Sequence, residues 1–392
     1  MVFRVSRPLA AVRAALTQVL STRPLMRSLL AVSNRDGDDL PRKAYHIALR
    51  QSPWLLQHLI TETLVEDWNS AIKSVKDDSA AVHSTVFMFQ AELISIEDTP
   101  GTTIISLTYN HSVMDAITLF HLHTDLDRLI HATAEESSFR IASLMPFKNW
   151  TDLWWVNQNN EVARESVDFH VRRLRGITTR QDSLWPPQQA PGWMIGTDRD
   201  SSLAAERAVV RDRVWEGRWN NVQHNFVHAR TSSVVHLEEL QVLRRDYVIE
   251  PPVLAKSALA IFNAVRTGST HAVFNTWESG RTWPFVPAWM EKTLPPAMGI
   301  DGPTVEWLVN MIEVDRSMTT GDFLRGMTDY DILLSTHAHA PWNQILQGLG
   351  DEAAVALDAS YRQGFVWDMS LGISRNGLGR METIARYDWP DW

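Results

Sequence analysis

One stretch constrains the fold of this chain more than any other. Two apolar runs, residues 82–96 and 102–109, flank Thr99-Pro100-Gly101, and the second runs through Asn110-His111-Ser112-Val113-Met114-Asp115-Ala116 into a leucine-spaced segment. Proline presets φ and glycine supplies φ > 0, so the tripeptide predicts a tight turn and the two runs a β-hairpin. Leu119, Leu122, Leu126 and Leu129 recur at three- and four-residue spacing, which predicts an amphipathic helix packed beneath the strand ends. This strand–turn–helix sets His111 at the end of a strand and Asp115 just before a helix. Histidine is the side chain whose ordinary pKa lets it move protons near neutral pH. Alone, the spacing is a common one, and a capping aspartate beside an incidental histidine satisfies it.

The rest of the chain alternates helical and extended patterns. Leu9, Val12, Leu16, Val19 and Leu20 share a helical face behind Pro8, which suits a helix start. Residues 26–33 read as leading into a strand, 54–74 as mostly helical, and 150–174 as a helix-like segment. Helices are expected near 253–265 and 320–335, and strands at 272–277 and 305–314. Thr319-Thr320-Gly321-Asp322 offers a helix cap with an early acid. Residues 365–368 read as a further strand. At 392 residues the chain is long for one core, which favours two lobes. The expected division is 1–176 and 177–392, with the proline-bearing stretch 177–204 as the crossing between them.

Composition removes whole classes of function. A net charge of −9 argues against nucleic acid as a partner. With no cysteine, disulfides, thiol catalysis and cysteine-ligated metals are excluded, and a cytoplasmic location is the expectation. The apolar runs are too short to span a membrane. The first 35 residues hold six arginines and no acid, a pattern shared by transit peptides, but the apolar face of 9–20 favours a folded element. His121-Leu122-His123 with Asp125 and Asp127 invites a metal reading. Residues two apart on a helix do not share a face, so these side chains are expected at the surface, as are His337 and His339. No metal is expected. There is no Gly-x-Ser-x-Gly elbow and no phosphate-cradling glycine loop.

Several separated segments resemble the condensation domains of nonribosomal peptide synthetases, in a fungal-looking version. That family's His-His-x-x-x-Asp-Gly appears here as Asn110-His111-Ser112-Val113-Met114-Asp115-Ala116. Pro24-Leu25-Met26-Arg27-Ser28 resembles an early Leu-Arg-Thr segment. Trp277-Glu278-Ser279-Gly280-Arg281 resembles a Ser-Gly-Arg element near the crossover between lobes. Val309-Asn310-Met311-Ile312-Glu313-Val314 resembles a later strand, and His337-Ala338-His339-Ala340-Pro341-Trp342 the following helix entry. These matches fall in the family's order from about Phe3 to Gly350.

The resemblance implies an α/β (α+β) chain with the two-lobed chloramphenicol acetyltransferase-like fold, each lobe a mixed sheet flanked by helices, around a tunnel. It implies an acyltransferase of secondary metabolism that forms an amide or ester bond. The donor would be an acyl or peptidyl thioester on a carrier protein, and the acceptor an amine or hydroxyl. His111 would be the catalytic base or positioning group. Asp115 would be structural, paired with Arg27, while Ser279, Gly280, Arg281 and Asn310 would lie at the tunnel and crossover. No cofactor is bound by the domain itself; phosphopantetheine arrives on the carrier proteins. A second reading is a catalytically silent module that docks carrier proteins or partner enzymes, and a third is a stand-alone acyltransferase using coenzyme A. The motif departs from the family at Asn110 and at Ala116, where alanine would strain a backbone of positive φ. The family's opening strand before Phe3 looks missing, and the aromatic end at 386–392 looks truncated.

Overall fold

A computed structural model of the chain describes residues 1–32, 44–81, 87–132, 141, 143–186, 237–367 and 381–385. Along the chain the elements are β1 (Val2–Val5), α1 (Leu9–Thr22), β2 (Ser28–Val32), β3 (Ala44–Ala48), α2 (Pro53–Leu59), β4 (Ile60–Val65), α3 (Trp68–Ala81), β5 (Phe89–Ile96), β6 (Thr103–Tyr109) and α4 (Ala116–His131). There follow β7 (Met145–Pro146), α5 (Phe147–Asn157), α6 (Glu161–Leu174), α7 (Leu237–Tyr247), α8 (Pro251–Thr267), β8 (His271–Glu278), α9 (Ala288–Glu291), β9 (Ile300–Asp301) and β10 (Glu306–Glu313). The last elements are α10 (Thr320–Thr336), α11 (Trp342–Leu349), α12 (Ala353–Arg362), β11 (Gly364–Val366) and β12 (Glu382–Ala385).

The chain divides into two compact units. The first comprises 1–151, 294–304 and 368–392, and the second 152–293 and 305–367. The expected division at 176 is therefore corrected. α6 packs Val167, Val171 and Leu174 against Ile345 and Leu349 of α11, so it belongs to the second unit. Ile177 and Leu184 are buried in that same core, so the start of the expected crossing belongs there too; residues 187–204 lie outside the described ones.

The first unit is built on a five-stranded sheet in the order β12-β1-β6-β5-β4. β5 and β6 form the expected antiparallel hairpin, from Phe89 opposite Tyr109 to Ser95 opposite Thr103, with Gly101 at φ 91° in its turn. Side chains alternate between two cores, as the pleat requires. Phe89, Leu93, Ile105 and Leu107 pack with Val12, Leu16, Val19 and Leu20 of α1. Ile94, Ile96 and Ile104 pack with Ala71 and Val75 of α3. A sheet covered on both faces explains why these strands read as nearly continuous apolar runs. Fully burying each such side chain contributes roughly 1.5–3 kcal/mol before entropy is counted.

Three expectations for this unit change. The segment read as helical from 54 to 74 contains β4, whose Ile60, Thr61, Thr63 and Val65 are β-branched and which pairs parallel with β5. The strand expected from 82 begins at Phe89, and residues 82–86 lie outside the described ones. The opening strand is present as β1, hydrogen-bonded to β6 on one side and β12 on the other. With β1 in the sheet and α1 in the core, the arginine-rich start is a folded part of the unit. The aromatic end at 386–392 lies outside the described residues.

Residues 294–304 reach the first unit from far along the chain. β9 pairs parallel with β7, and His121 Nε2 bonds the Met298 carbonyl at 2.9 Å. Gly302 lies against the Phe147 ring so closely that a Cβ there would sit 2.4 Å from Phe147 Cγ.

The second unit holds a three-stranded sheet, β10-β8-β11, antiparallel between β8 and β10 and parallel between β8 and β11. One face packs Phe274 and Ile312 with Val253 and Ala260 of α8 and with Phe323, Leu324 and Met327 of α10. The other packs Val273 and Val309 with α6, α11 and α12. The segment read as one helix over 150–174 is two, because Asn160 Oδ1 accepts from Ala163 N at 2.9 Å and starts α6 afresh. The cap expected before α10 is formed by Thr319, whose hydroxyl accepts from Asp322 N at 3.1 Å and donates to the Asp322 carboxylate.

Candidate active site

His111 leaves β6 on a turn and is exposed. The turn is made by Asn110. Its N–H donates the last strand bond, to the Met88 carbonyl at 2.8 Å; its carbonyl accepts from Val113 N at 3.1 Å; its side-chain Oδ1 accepts from Ser112 N at 2.9 Å. An Asx turn of this kind needs a short side-chain acceptor, which asparagine supplies directly. Val113 and Met114, beneath the turn, are buried. The turn that presents His111 is thus held by the hydrogen bonds of Asn110 and by the burial of Val113 and Met114.

Asp115 is buried and is the N-cap of α4. Its Oδ1 accepts from Thr118 N at 2.8 Å and from Thr118 Oγ1 at 2.7 Å, while Oδ2 accepts from Thr304 N at 3.2 Å. One carboxylate therefore starts the helix and ties down the end of the 294–304 segment. Ala116 is the first residue of α4. Among the described residues the non-glycine ones of positive φ are Val248 and Phe285, so the strain expected at Ala116 is not there.

The expected Arg27–Asp115 pair is also corrected. Arg27 donates from Nε to the Leu20 carbonyl at 2.8 Å and from Nη1 to the Leu49 carbonyl at 2.5 Å. Leu20 lies in the last turn of α1, where carbonyls lack helical partners, and a cation there answers both the hydrogen bond and the dipole. Burial lowers the Arg27 pKa. Arg23 pairs with two buried carboxylates: its guanidinium bonds Asp125 at 2.5 Å and also Asp301. Burial pushes the Asp301 pKa up, against the opposing pull of Arg23.

Two of the four α4 residues expected at the surface are buried. Asp125 is 4% exposed and His123 is 7% exposed, beside Phe3 at 5.2 Å between ring centroids. Burial lowers the His123 pKa. Asp127 accepts from Met381 N at 3.1 Å. The buried face of α4 is wider than its leucine stripe: Asp125 finds Arg23 in the same unit, and His123 packs by its ring against Phe3.

In the second unit, Ser279 is exposed, and Gly280 and Arg281 follow it on the loop leaving β8, with Arg281 buried. Asn310 is fully buried in β10. Its Nδ2 donates to Thr276 Oγ1 at 2.5 Å and to the carbonyls of Phe274 and Leu308. It staples β10 to β8 from within the core. His337 and His339 were expected at the surface. His337 instead stacks on Phe169 at 4.4 Å and bonds Ser166 Oγ at 3.0 Å. His339 is 7% exposed. Its Nδ1 bonds Glu306 Oε1 at 2.7 Å and its Nε2 bonds Thr282 Oγ1 at 2.6 Å. Sequence reasoning missed Thr282, Glu306, Arg23 and Thr304. The histidines carried a local signal, but their partners lie tens to hundreds of residues away.

No protein-family model matches the sequence, and no curated protein matches it. Solved structures do. The condensation domain of the Monacolin K polyketide synthase MokA superposes with a TM-score of 0.57 at 12% identity, over 93% of this chain and 71% of that one. The first condensation domain of the calcium-dependent antibiotic synthetase gives 0.56 at 13%, over 93% and 74%. The SgcC5 protein from Streptomyces globisporus gives 0.56 at 14%, over 93% and 73%. The fold is that of condensation domains. This chloramphenicol acetyltransferase-like fold is the one the ordered motifs implied. Against a further structure named CT the chain spans about two thirds of the length, covering 67% of it. Among the described residues no single helix is long and apolar enough to cross a membrane.

Proposed function

We propose that this chain is an acyltransferase of the condensation-domain kind, acting in the biosynthesis of nonribosomal peptides or related secondary metabolites. It joins an acyl or peptidyl thioester borne on a carrier protein to an amine or hydroxyl. The observation that carries the reading is His111, exposed on a turn fixed by backbone bonds, one helix cap away from a buried aspartate, on a condensation-domain fold. Its imidazole takes the acceptor's proton, or fixes the acceptor, as the new bond to the acyl carbon forms and the thiolate leaves. Acid–base help of this kind is typically worth ~10²–10⁴ in rate. Asp115 acts through the loop: it caps α4 and holds Thr304 rather than touching substrate. SgcC5 was solved in complex with a naphthyl ethanediol, which supports a hydroxyl among the acceptors. The phosphopantetheine arm comes with the carrier, and no bound cofactor is required.

The test is product formation from a loaded donor carrier and a set of amine and alcohol acceptors. His111→Ala is expected to lower the rate by ~10²–10⁴ while leaving the thermal midpoint unchanged. Full product formation by that variant would overturn the mechanism. Carrier binding without turnover in the unaltered protein would favour a docking module instead. Turnover of free acyl-coenzyme A at the carrier-dependent rate would remove the carrier from the proposal.

A further inference from the structure

The second unit contains a hydroxyl, an imidazole and a carboxylate in series. Thr282 Oγ1 lies 2.6 Å from His339 Nε2, and His339 Nδ1 lies 2.7 Å from Glu306 Oε1. With Glu306 ionised, its carboxylate can only accept, so Nδ1–H donates to it and Nε2 accepts the Thr282 hydroxyl proton. That is the arrangement in which an alcohol becomes a nucleophile: a base within hydrogen-bond reach, oriented by a third group.

The surroundings suit that role. Thr282 is exposed, whereas the His339 side chain is 7% exposed and that of Glu306 19%. The residue that carries the reacting oxygen is at the surface, while base and orienter lie deeper. The His339 backbone is fixed by Trp154 Nε1, which donates to its carbonyl at 3.1 Å, and the Phe285 ring stands edge-on to the imidazole at 6.3 Å. Thr282 sits in a tightly bent loop, its N–H bonded to the Gly280 carbonyl at 2.8 Å. Three residues on, Phe285 is buried at φ 55°, a conformation costly for an aromatic residue, and its carbonyl accepts from Asn160 Nδ2 at 3.0 Å. Backbone strain held in place by neighbouring bonds clusters at functional sites. A loop that only needed tethering to His339 would require neither the carboxylate behind the imidazole nor the strained residue beside it.

We propose that Thr282, His339 and Glu306 form an acyl-accepting relay, a second centre besides His111, whose substrate class, acyl thioesters, rests on the function proposed above. Thr282 Oγ1 attacks the thioester carbonyl. The bond from that oxygen to the acyl carbon forms as the carbon–sulfur bond breaks. The hydroxyl proton passes to His339 Nε2 and then to the departing thiolate, leaving an O-acyl-threonine and a free thiol. Water or an alcohol, deprotonated by the same imidazole, then removes the acyl group and restores the hydroxyl.

The whole chain is incubated with hexanoyl-N-acetylcysteamine in the absence of carrier and amine. Thiol release is followed colorimetrically, and the acid-quenched protein is mapped by peptide mass spectrometry. The expected result is thiol release with a hexanoyl adduct on Thr282. Thr282→Val and His339→Gln lose release by at least ~10²-fold, and Thr282→Ser, which keeps the hydroxyl, retains it. Release that survives in Thr282→Val would overturn the proposal, as would the unaltered protein showing neither release nor adduct. If Thr282→Val does not fold, the site of the adduct and the behaviour of Thr282→Ser decide. Amide formation on loaded carriers is a separate readout, so failure here is distinguishable from failure of the His111 mechanism.

Discussion

His111 and His339 occupy opposite environments on similar local frames. Each follows a strand or helix end in a short turn, yet His111 is exposed and His339 is buried with a side-chain partner on each ring nitrogen. The turn that carries His111 is held by the main chain and side chain of Asn110, with Val113 and Met114 buried after it. His339 is positioned by Glu306 and Thr282. The contrast extends to the units that hold them. The first unit buries an ion cluster, Arg23 with Asp125 and Asp301, at a distance from its exposed histidine in sequence. The second buries a histidine that burial keeps uncharged: His170 Nδ1 accepts from Arg173, and its Nε2 bonds the His337 carbonyl at 2.9 Å. A main-chain scaffold tolerates change at the side chain it presents; a side-chain relay does not.

The largest effect that would break this comparison lies at Arg23. Replacing it with alanine leaves Asp125 and Asp301 buried without their cation. Breaking such a cluster from one side costs about 3–5 kcal/mol. Urea unfolding of Arg23→Ala is expected to show a loss of that size. A loss under about 1 kcal/mol, the scale of exposed pairs, would mean that the cluster is solvated and the two units are not so different. The next largest effect separates the two jobs of Asp115. Asp115→Ala removes the cap and strands Thr304 N–H, for an expected loss of about 2–3 kcal/mol. Asp115→Asn keeps a good N-cap but loses one carboxylate oxygen, and about half of that stability should return. If both variants lose equally, the bond to Thr304 rather than the cap dominates.

A pH scan sharpens the contrast from the other side. Burial holds the His170 pKa well below the ordinary histidine value, and the nearby Arg173 charge adds to this. The unfolded chain therefore takes up a proton near pH ~6.5 that the folded chain refuses. The stability His170 contributes is complete above that pH and is lost as pH falls below it. Unfolding midpoints measured from pH 7 down to pH 5 should decline, and His170→Gln, which cannot titrate, should flatten the decline. An unchanged slope in that variant would assign the acid limb to other groups, such as His123, whose pKa burial also lowers.

What could be read from the sequence follows from range. The β5–β6 hairpin, α1 and the Thr319 cap depend on neighbours within a few residues, and periodicity and turn chemistry disclosed them. β4 escaped because its apolar residues also fit a helical spacing, and only its parallel partner β5 decides the matter. Arg27 was paired with Asp115 by resemblance, yet the open carbonyl of Leu20 at the end of α1 is nearer in sequence and claims it. Asp125 and His339 were read as surface residues because the histidines and acids around them, two apart, share no helical face. Their partners, Arg23 and Glu306, are 102 and 33 residues away. Burial of a polar side chain is decided by a partner of that kind, which no local pattern carries.

The smallest predicted effect concerns Ala116, where the related motif carries glycine. Glycine would be required only if this backbone had positive φ, and Ala116 instead begins α4 in the helical region. Alanine has the higher helix propensity and gives up less backbone freedom on folding. Ala116→Gly should therefore lower stability by about 0.5 kcal/mol, with the rate of product formation unchanged. Parallel urea titrations and carrier assays of the two proteins resolve this. A gain in stability would show a turn under strain at this position. A gain in rate with stability unchanged would show that His111 needs more freedom than the capped helix allows, and that its main-chain scaffold limits the chemistry it presents.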